Sequence, residues 1–87
     1  MSDDRELLIR RLKYLCRRRS TLELDVMLAR IAKNLSWSDL TDQDLAALTT
    51  ILETDEIVLQ KALLTREPDP TGADGLVWAR VLAALTL

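Results

Sequence analysis

The first 67 residues of this 87-residue chain contain no glycine and no proline. Both glycines and both prolines fall between Pro68 and Gly75. Gly and Pro are the strongest helix breakers, and the tight turns of a many-stranded fold depend on them. A long stretch without either, and with few β-branched runs, predicts helices joined by short polar connections. The length allows one domain, residues 1–87, that buries roughly 60–65% of the surface its unfolded chain exposes. The expected fold is therefore all-α, a compact single-domain bundle of about five helices.

Apolar periodicity and cap residues locate the helices. Residues 4–16 carry Leu8, Leu12, Leu15 and Cys16 at i, i+4, i+7 and i+8, with Asp3 or Asp4 as the cap. Ser20-Thr21-Leu22-Glu23 fits a capping box, in which Ser20 and Glu23 satisfy each other's backbone donors. The helix behind it runs to about Asn34. Its main stripe is Leu24, Leu28, Ile31 and Leu35, and Leu22, Val26 and Ala29 form a second row. Two rows predict a central helix touched on more than one side. Thr41-Asp42-Gln43-Asp44 is another cap, with Leu40 as a hydrophobic staple, and Leu45, Leu48, Ile51 and Leu52 form the face behind it. Thr54 or Asp55 starts a fourth helix with Val58, Leu59, Ala62 and Leu63 inward. Residues 67–72 read as a loop. A fifth helix begins near Asp74, with Val77, Trp78, Val81, Leu82 and Leu85 facing the core. Tyr14, Trp37 and Trp78 are expected to pack, and Cys16 to be a small core residue.

Several chemistries are excluded by composition. The chain has no histidine and one cysteine. It therefore holds no Ser-His-Asp or Cys-His machinery, no histidine metal ligand and no internal disulfide. Gly72 and Gly75 sit apart beside aspartates rather than in a phosphate loop. No apolar run reaches the roughly 20 residues needed to cross a bilayer. An acidic start, Met1-Ser2-Asp3-Asp4, is unlike a signal peptide. The expectation is a soluble cytoplasmic protein that is not an enzyme and is not inserted in a membrane.

Charge is distributed unevenly. Residues 1–34 carry nine Lys/Arg against five Asp/Glu, a net of +4, and residues 35–87 carry three against nine, a net of −6. The basic excess centres on Arg10, Arg11, Lys13, Arg17, Arg18 and Arg19. Three consecutive arginines cannot share one helix face, because successive residues lie about 100° apart. They fit a helix end or a turn, from which they splay toward a partner, whereas Arg10, Arg11 and Lys13 fit the wet side of a helix equally well.

The stretch Cys16-Arg17-Arg18-Arg19-Ser20-Thr21-Leu22-Glu23-Leu24-Asp25 resembles the FAD assembly factor family, small proteins that promote covalent flavin attachment to succinate dehydrogenase and fumarate reductase. The family signature is R-G-x-x-E followed by an apolar residue and Asp. Arg19, Glu23 and Asp25 match its spacing, and the preceding basic run is also similar. Leu40-Thr41-Asp42 looks like the family's Leu-Ser-Asp, and Leu52-Glu53-Thr54-Asp55 like its Leu-Glu-x-Asp. The resemblance covers roughly residues 8–65. Two departures stand out: Ser20 replaces the signature glycine, and Gln60, Lys61 and Ala62 stand where the family has aromatic residues. They mark a divergent member.

This resemblance implies a five-helix bundle with a chaperone-like role. The implied partner is the flavoprotein subunit of succinate dehydrogenase or fumarate reductase. FAD would sit on that client rather than bind stably here. The implied contact residues are Arg17, Arg18, Arg19, Ser20, Glu23 and Asp25. Arg19 is a rigid bidentate donor suited to a client carboxylate or a flavin phosphate, and Glu23 and Asp25 are acceptors. Read from the residues alone, Arg19 and Glu23 also fit a surface ion pair worth about 0.3–0.5 kcal/mol. Two other functions fit part of the sequence. A generic helical protein–protein interaction module has the same fold. A small nucleic-acid binder would explain the arginines, but a pI near 5.0 opposes it.

Overall fold

A computed structural model describes residues 2–17, 21–71 and 76–86, with side chains from Asp4 onward. Five α-helices follow in order: α1 (Ser2–Leu15), α2 (Leu22–Asn34), α3 (Asp42–Leu52), α4 (Glu56–Thr65) and α5 (Leu76–Thr86). One turn of 3-10 helix, Trp37–Asp39, links α2 to α3. No strand occurs among the described residues. The Cα radius of gyration is 12.0 Å, which matches the roughly 12 Å of a compact domain of this length.

Local chemistry accounts for most of the helix starts. Thr41 caps α3 in a full capping box: its hydroxyl accepts from the Asp44 N–H at 3.1 Å, and Asp44 Oδ2 accepts from the Thr41 N–H at 3.0 Å. Leu40 before it and Leu45 after it are both buried in the core, as a staple requires. Asp55 caps α4 by accepting from the Ile57 and Val58 N–H groups. Two other starts differ from expectation. Asp3 and Asp4 lie inside the first turn of α1 rather than ahead of it. The cap of α2 is Thr21, whose hydroxyl accepts from the Leu24 N–H at 3.3 Å. With Thr21 as cap, the third helical residue is Leu24; the Ser20 half of the expected Ser20–Glu23 box lies outside the described residues.

The closest helix pairings are α2 with α5, α1 with α3, and α3 with α5. All buried residues among those described are apolar. Leu12 and Cys16 from α1 and its end meet Leu24, Leu28 and Ile31 from α2, Leu45, Leu48 and Ile51 from α3, Leu59 and Leu63 from α4, and Trp78 and Val81 from α5. Leu82 and Leu85 are partly buried against this cluster. Polar ties fix the seams. Arg5 on α1 forms an ion pair with Asp42 at 3.2 Å and donates to the Trp37 and Leu40 carbonyls. Asn34 donates to the Ala84 carbonyl at 2.9 Å, joining α2 to α5. The Trp78 indole N–H donates to the Glu67 carbonyl at 2.8 Å, fixing the connection after α4 to α5. Helix α4 ends at Arg66, whose φ of 53° puts a non-glycine residue in the left-handed region. The loop assigned to residues 67–72 is non-helical through Thr71; Gly72 and the proposed fifth-helix start at Asp74 lie outside the described residues.

Three packing expectations fail. The second row of α2 faces solvent, with Leu22 79% and Val26 52% exposed and Ala29 also exposed. The core engages α2 through Leu24, Leu28 and Ile31, which turns that row away from the core. Val58 is 48% exposed, because α4 turns Leu59, Ala62 and Leu63 inward instead. Tyr14 is 54% exposed rather than packed; the helix period points the neighbouring Leu12 and Cys16 at the core.

Candidate functional site

The end of α1 and the start of α2 enclose the sequence that carries the signature. The backbone tightens past Leu15: the Cys16 N–H donates to the Leu12 and Lys13 carbonyls, each at 3.2 Å, and the Arg17 N–H to the Tyr14 carbonyl at 3.0 Å. Cys16 is buried, so the connection leaves the body of the protein from an anchored residue. Arg17 is exposed. Arg18, Arg19 and Ser20 lie outside the described residues. The connection ends at Thr21, the cap of α2.

Glu23 and Thr21 are held by a residue from α4. The Thr21 hydroxyl donates to Gln60 Oε1 at 2.8 Å, and Gln60 Nε2 donates to Glu23 Oε2 at 3.3 Å. One amide therefore bridges the cap and the signature glutamate, orienting both through exposed hydrogen bonds. Gln60 was legible in the sequence only as a polar residue where the family has aromatics. Its contact spans 37 positions, and no local pattern announces it.

Asp25 is partly buried, and its Oδ1 has no hydrogen-bond partner among the described residues. An acceptor removed from water without a donor costs about 1–3 kcal/mol. Arg17 has different neighbours. It shares a groove with Lys13, Ala29, Ala32, Lys33 and Trp37. Trp37, expected to pack, is half-buried: its indole N–H donates to the Ala32 carbonyl at 2.9 Å, and Lys13 Nζ lies 5.5 Å from the ring centroid.

Exposed apolar side chains surround this region. Leu22 and Val26 stand on α2, and Ile57 and Leu64 on α4. Thr21, Ile57, Gln60 and Leu64 line one shallow depression between the two helices. Among the described residues no group of His, Cys, Asp or Glu is placed to hold a metal, and no helix is long and apolar enough to cross a membrane.

Residues 10–85 match the protein family described as Sdh5, the flavinator of succinate dehydrogenase. The chain belongs to the Sdh5 family. The match extends beyond the resemblance over residues 8–65 and takes in α5 as well. No curated protein and no solved structure matches the chain. Sdh5 proteins are flavinylation assembly factors of succinate dehydrogenase. In this Sdh5-family chain the signature positions Glu23 and Asp25 lie on the first turn of α2, and Arg17 sits just beyond α1.

Proposed function

We propose that this chain binds the flavoprotein subunit of succinate dehydrogenase, or of fumarate reductase, in the cytoplasm and promotes covalent attachment of FAD to it. The observation that carries this reading is the family match over residues 10–85, which spans the signature and all but the start of the bundle. Flavin and client supply the bond-forming chemistry in this reading. The chain holds the client in a conformation that favours the reaction, and FAD remains on the client.

The contact surface we assign is the signature region: Arg17, Arg18, Arg19, Ser20, Glu23 and Asp25. Three features support it. Leu22 and Val26 expose apolar area beside the signature, and a docking partner gains by covering such area. Asp25 holds a shielded oxygen that lacks a donor among the described residues, so a rearrangement on docking that supplies one is favourable. Gln60 holds Glu23 in one orientation before the partner arrives, which lowers the ordering cost of binding.

Covalent flavin survives denaturation, so in-gel flavin fluorescence of denatured extracts reports attachment directly. The expected result is a band at the flavoprotein subunit that fades when this gene is deleted and returns with the wild-type chain. Arg19→Ala and Glu23→Ala should not restore it. An unchanged band on deletion would overturn the flavinylation reading and favour a general helical interaction module.

A further inference from the structure

Four cations converge on one face with no carboxylate among them. Lys13 and Arg17 from the end of α1 and Lys33 from α2 line a groove of about 410 Å³ whose floor is Ala29, Ala32 and Trp37. Ala29 and Lys33 also line an adjoining depression of about 450 Å³ that adds Arg30 and Asn34. The two share Ala29 and Lys33 as lining residues. Lys13, Arg17, Arg30 and Lys33 are exposed, and none of them forms an ion pair among the described residues, where Arg5 pairs with Asp42.

Such an arrangement favours an anionic ligand. Arg30 and Lys33 are three apart on α2, a spacing at which like charges destabilise a helix. Lys13 lies over the Trp37 ring, which draws a third charge toward the same wall. A ligand carrying several negative charges relieves this repulsion, and the surrounding field speeds its approach. The floor narrows the choice of ligand. Two alanines and an indole edge, with the indole tied to the Ala32 carbonyl, offer an apolar seat between the cations. The rest of the chain narrows it further. Residues 35–87 are net −6, so a long regular polyanion such as nucleic acid would run from the patch into repulsion. A short acidic peptide ends within it.

We propose that this groove docks an acidic peptide segment of the flavoprotein subunit, its carboxylates meeting Lys13, Arg17, Arg30 and Lys33 and one apolar side chain resting on Ala29, Ala32 and Trp37. The identity of the partner rests on the function proposed above; the preference for an acidic peptide rests on the groove alone. The segment forms a second contact beside the signature region and adds to it as a tethered, bivalent interaction does.

Two binding measurements test this. In the first, the purified chain is titrated with an acetylated, amidated pentapeptide of four aspartate or glutamate residues around one leucine, following tryptophan emission. Trp78 is buried in the core, whereas Trp37 borders the groove. A saturable change should appear, weaken at least about tenfold between 50 and 300 mM salt, and vanish in Trp37→Phe and in the double variant Lys13→Glu/Lys33→Glu. The same peptide made with amides in place of carboxylates should give none. Equal binding of tripolyphosphate would overturn the assignment to a peptide, as would unchanged peptide binding by the double variant. Both lysines are exposed, and circular dichroism of the double variant should match the wild type.

In the second, the flavoprotein subunit is titrated against immobilised wild-type chain, Lys13→Glu/Lys33→Glu and Arg19→Ala. The double variant should bind about tenfold more weakly or worse. Equal affinity of the double variant overturns the groove while leaving the proposed function in place. Absence of binding by the wild-type chain overturns the partner, and the peptide titration then decides the groove separately.

Discussion

Gln60 shows how one side chain sets the posture of another far along the chain. Its amide accepts from Thr21 and donates to Glu23, so the glutamate is held toward α4 rather than left to sweep the solvent. These bonds are exposed and each contributes only about 0.5–1.5 kcal/mol net. Gln60→Ala, which removes both, should therefore lower stability by about 1 kcal/mol in urea denaturation, the low end for two exposed bonds. It should nevertheless weaken binding of the flavoprotein subunit, because Glu23 then loses its fixed orientation; a variant with wild-type affinity would show that the orientation is irrelevant. Arg5 acts in the opposite way, as a structural side chain. Its guanidinium satisfies the Trp37 and Leu40 carbonyls and pairs with Asp42. Arg5→Ala should lower stability by about 1–2 kcal/mol and leave client affinity unchanged once the protein is folded. A variant as stable as wild type would remove Arg5 from this role.

Individual helices differ in how much of them the sequence disclosed, and the difference follows the range of the forces involved. Thr41-Asp44 and Asp55 were legible as caps because cap chemistry acts within four residues. Thr41→Ala should cost about 1 kcal/mol, seen as a lower denaturation midpoint with an unchanged slope. The cap of α2 is one residue later than expected for a related reason: Ser20 and Thr21 are both competent cap types, and Thr21 takes the position while Gln60 from α4 binds Glu23. Periodicity found both apolar rows of α2 but had no way to rank them, since packing against the rest of the bundle decides which row is buried. Ile57-Val58-Leu59 posed the same ambiguity, and the core took Leu59. The buried row should dominate stability. Leu28→Ala should cost about 2–5 kcal/mol, whereas the double variant Leu22→Ser/Val26→Ser should stay within about 0.5 kcal/mol of wild type. The latter pair should instead impair client binding, and wild-type affinity would exclude that row from the contact.

At the scale of the molecule, chemistry is segregated by position. The interior accepts only apolar residues among those described. The features that stand out on the surface are Arg17 and Glu23 of the signature region, the exposed row of α2 and the basic groove beside Trp37. The signature was legible in the sequence as a spacing of Arg19, Glu23 and Asp25. The groove was not, because Lys13, Lys33 and Trp37 are scattered in the chain and meet only through the docking of the turn at Trp37–Asp39 beside the ends of α1 and α2. The arginine run drew attention to its own positions, while the fold recruited lysines from either side. The proposed function works through surface placement, and substitutions should separate into those that unfold the chain and those that silence it.

Cys16 has a practical consequence of its own. It is the sole thiol of the chain, it is 1% exposed, and it immediately precedes the arginine run. A thiol reagent can react only when the end of α1 opens, so the labelling rate measures that opening at a single residue without any engineered probe. A client that clamps the signature region should slow the labelling, and one that docks elsewhere should leave the rate alone. The protein thus carries a built-in clock for the local breathing of the segment to which the proposed recognition is assigned.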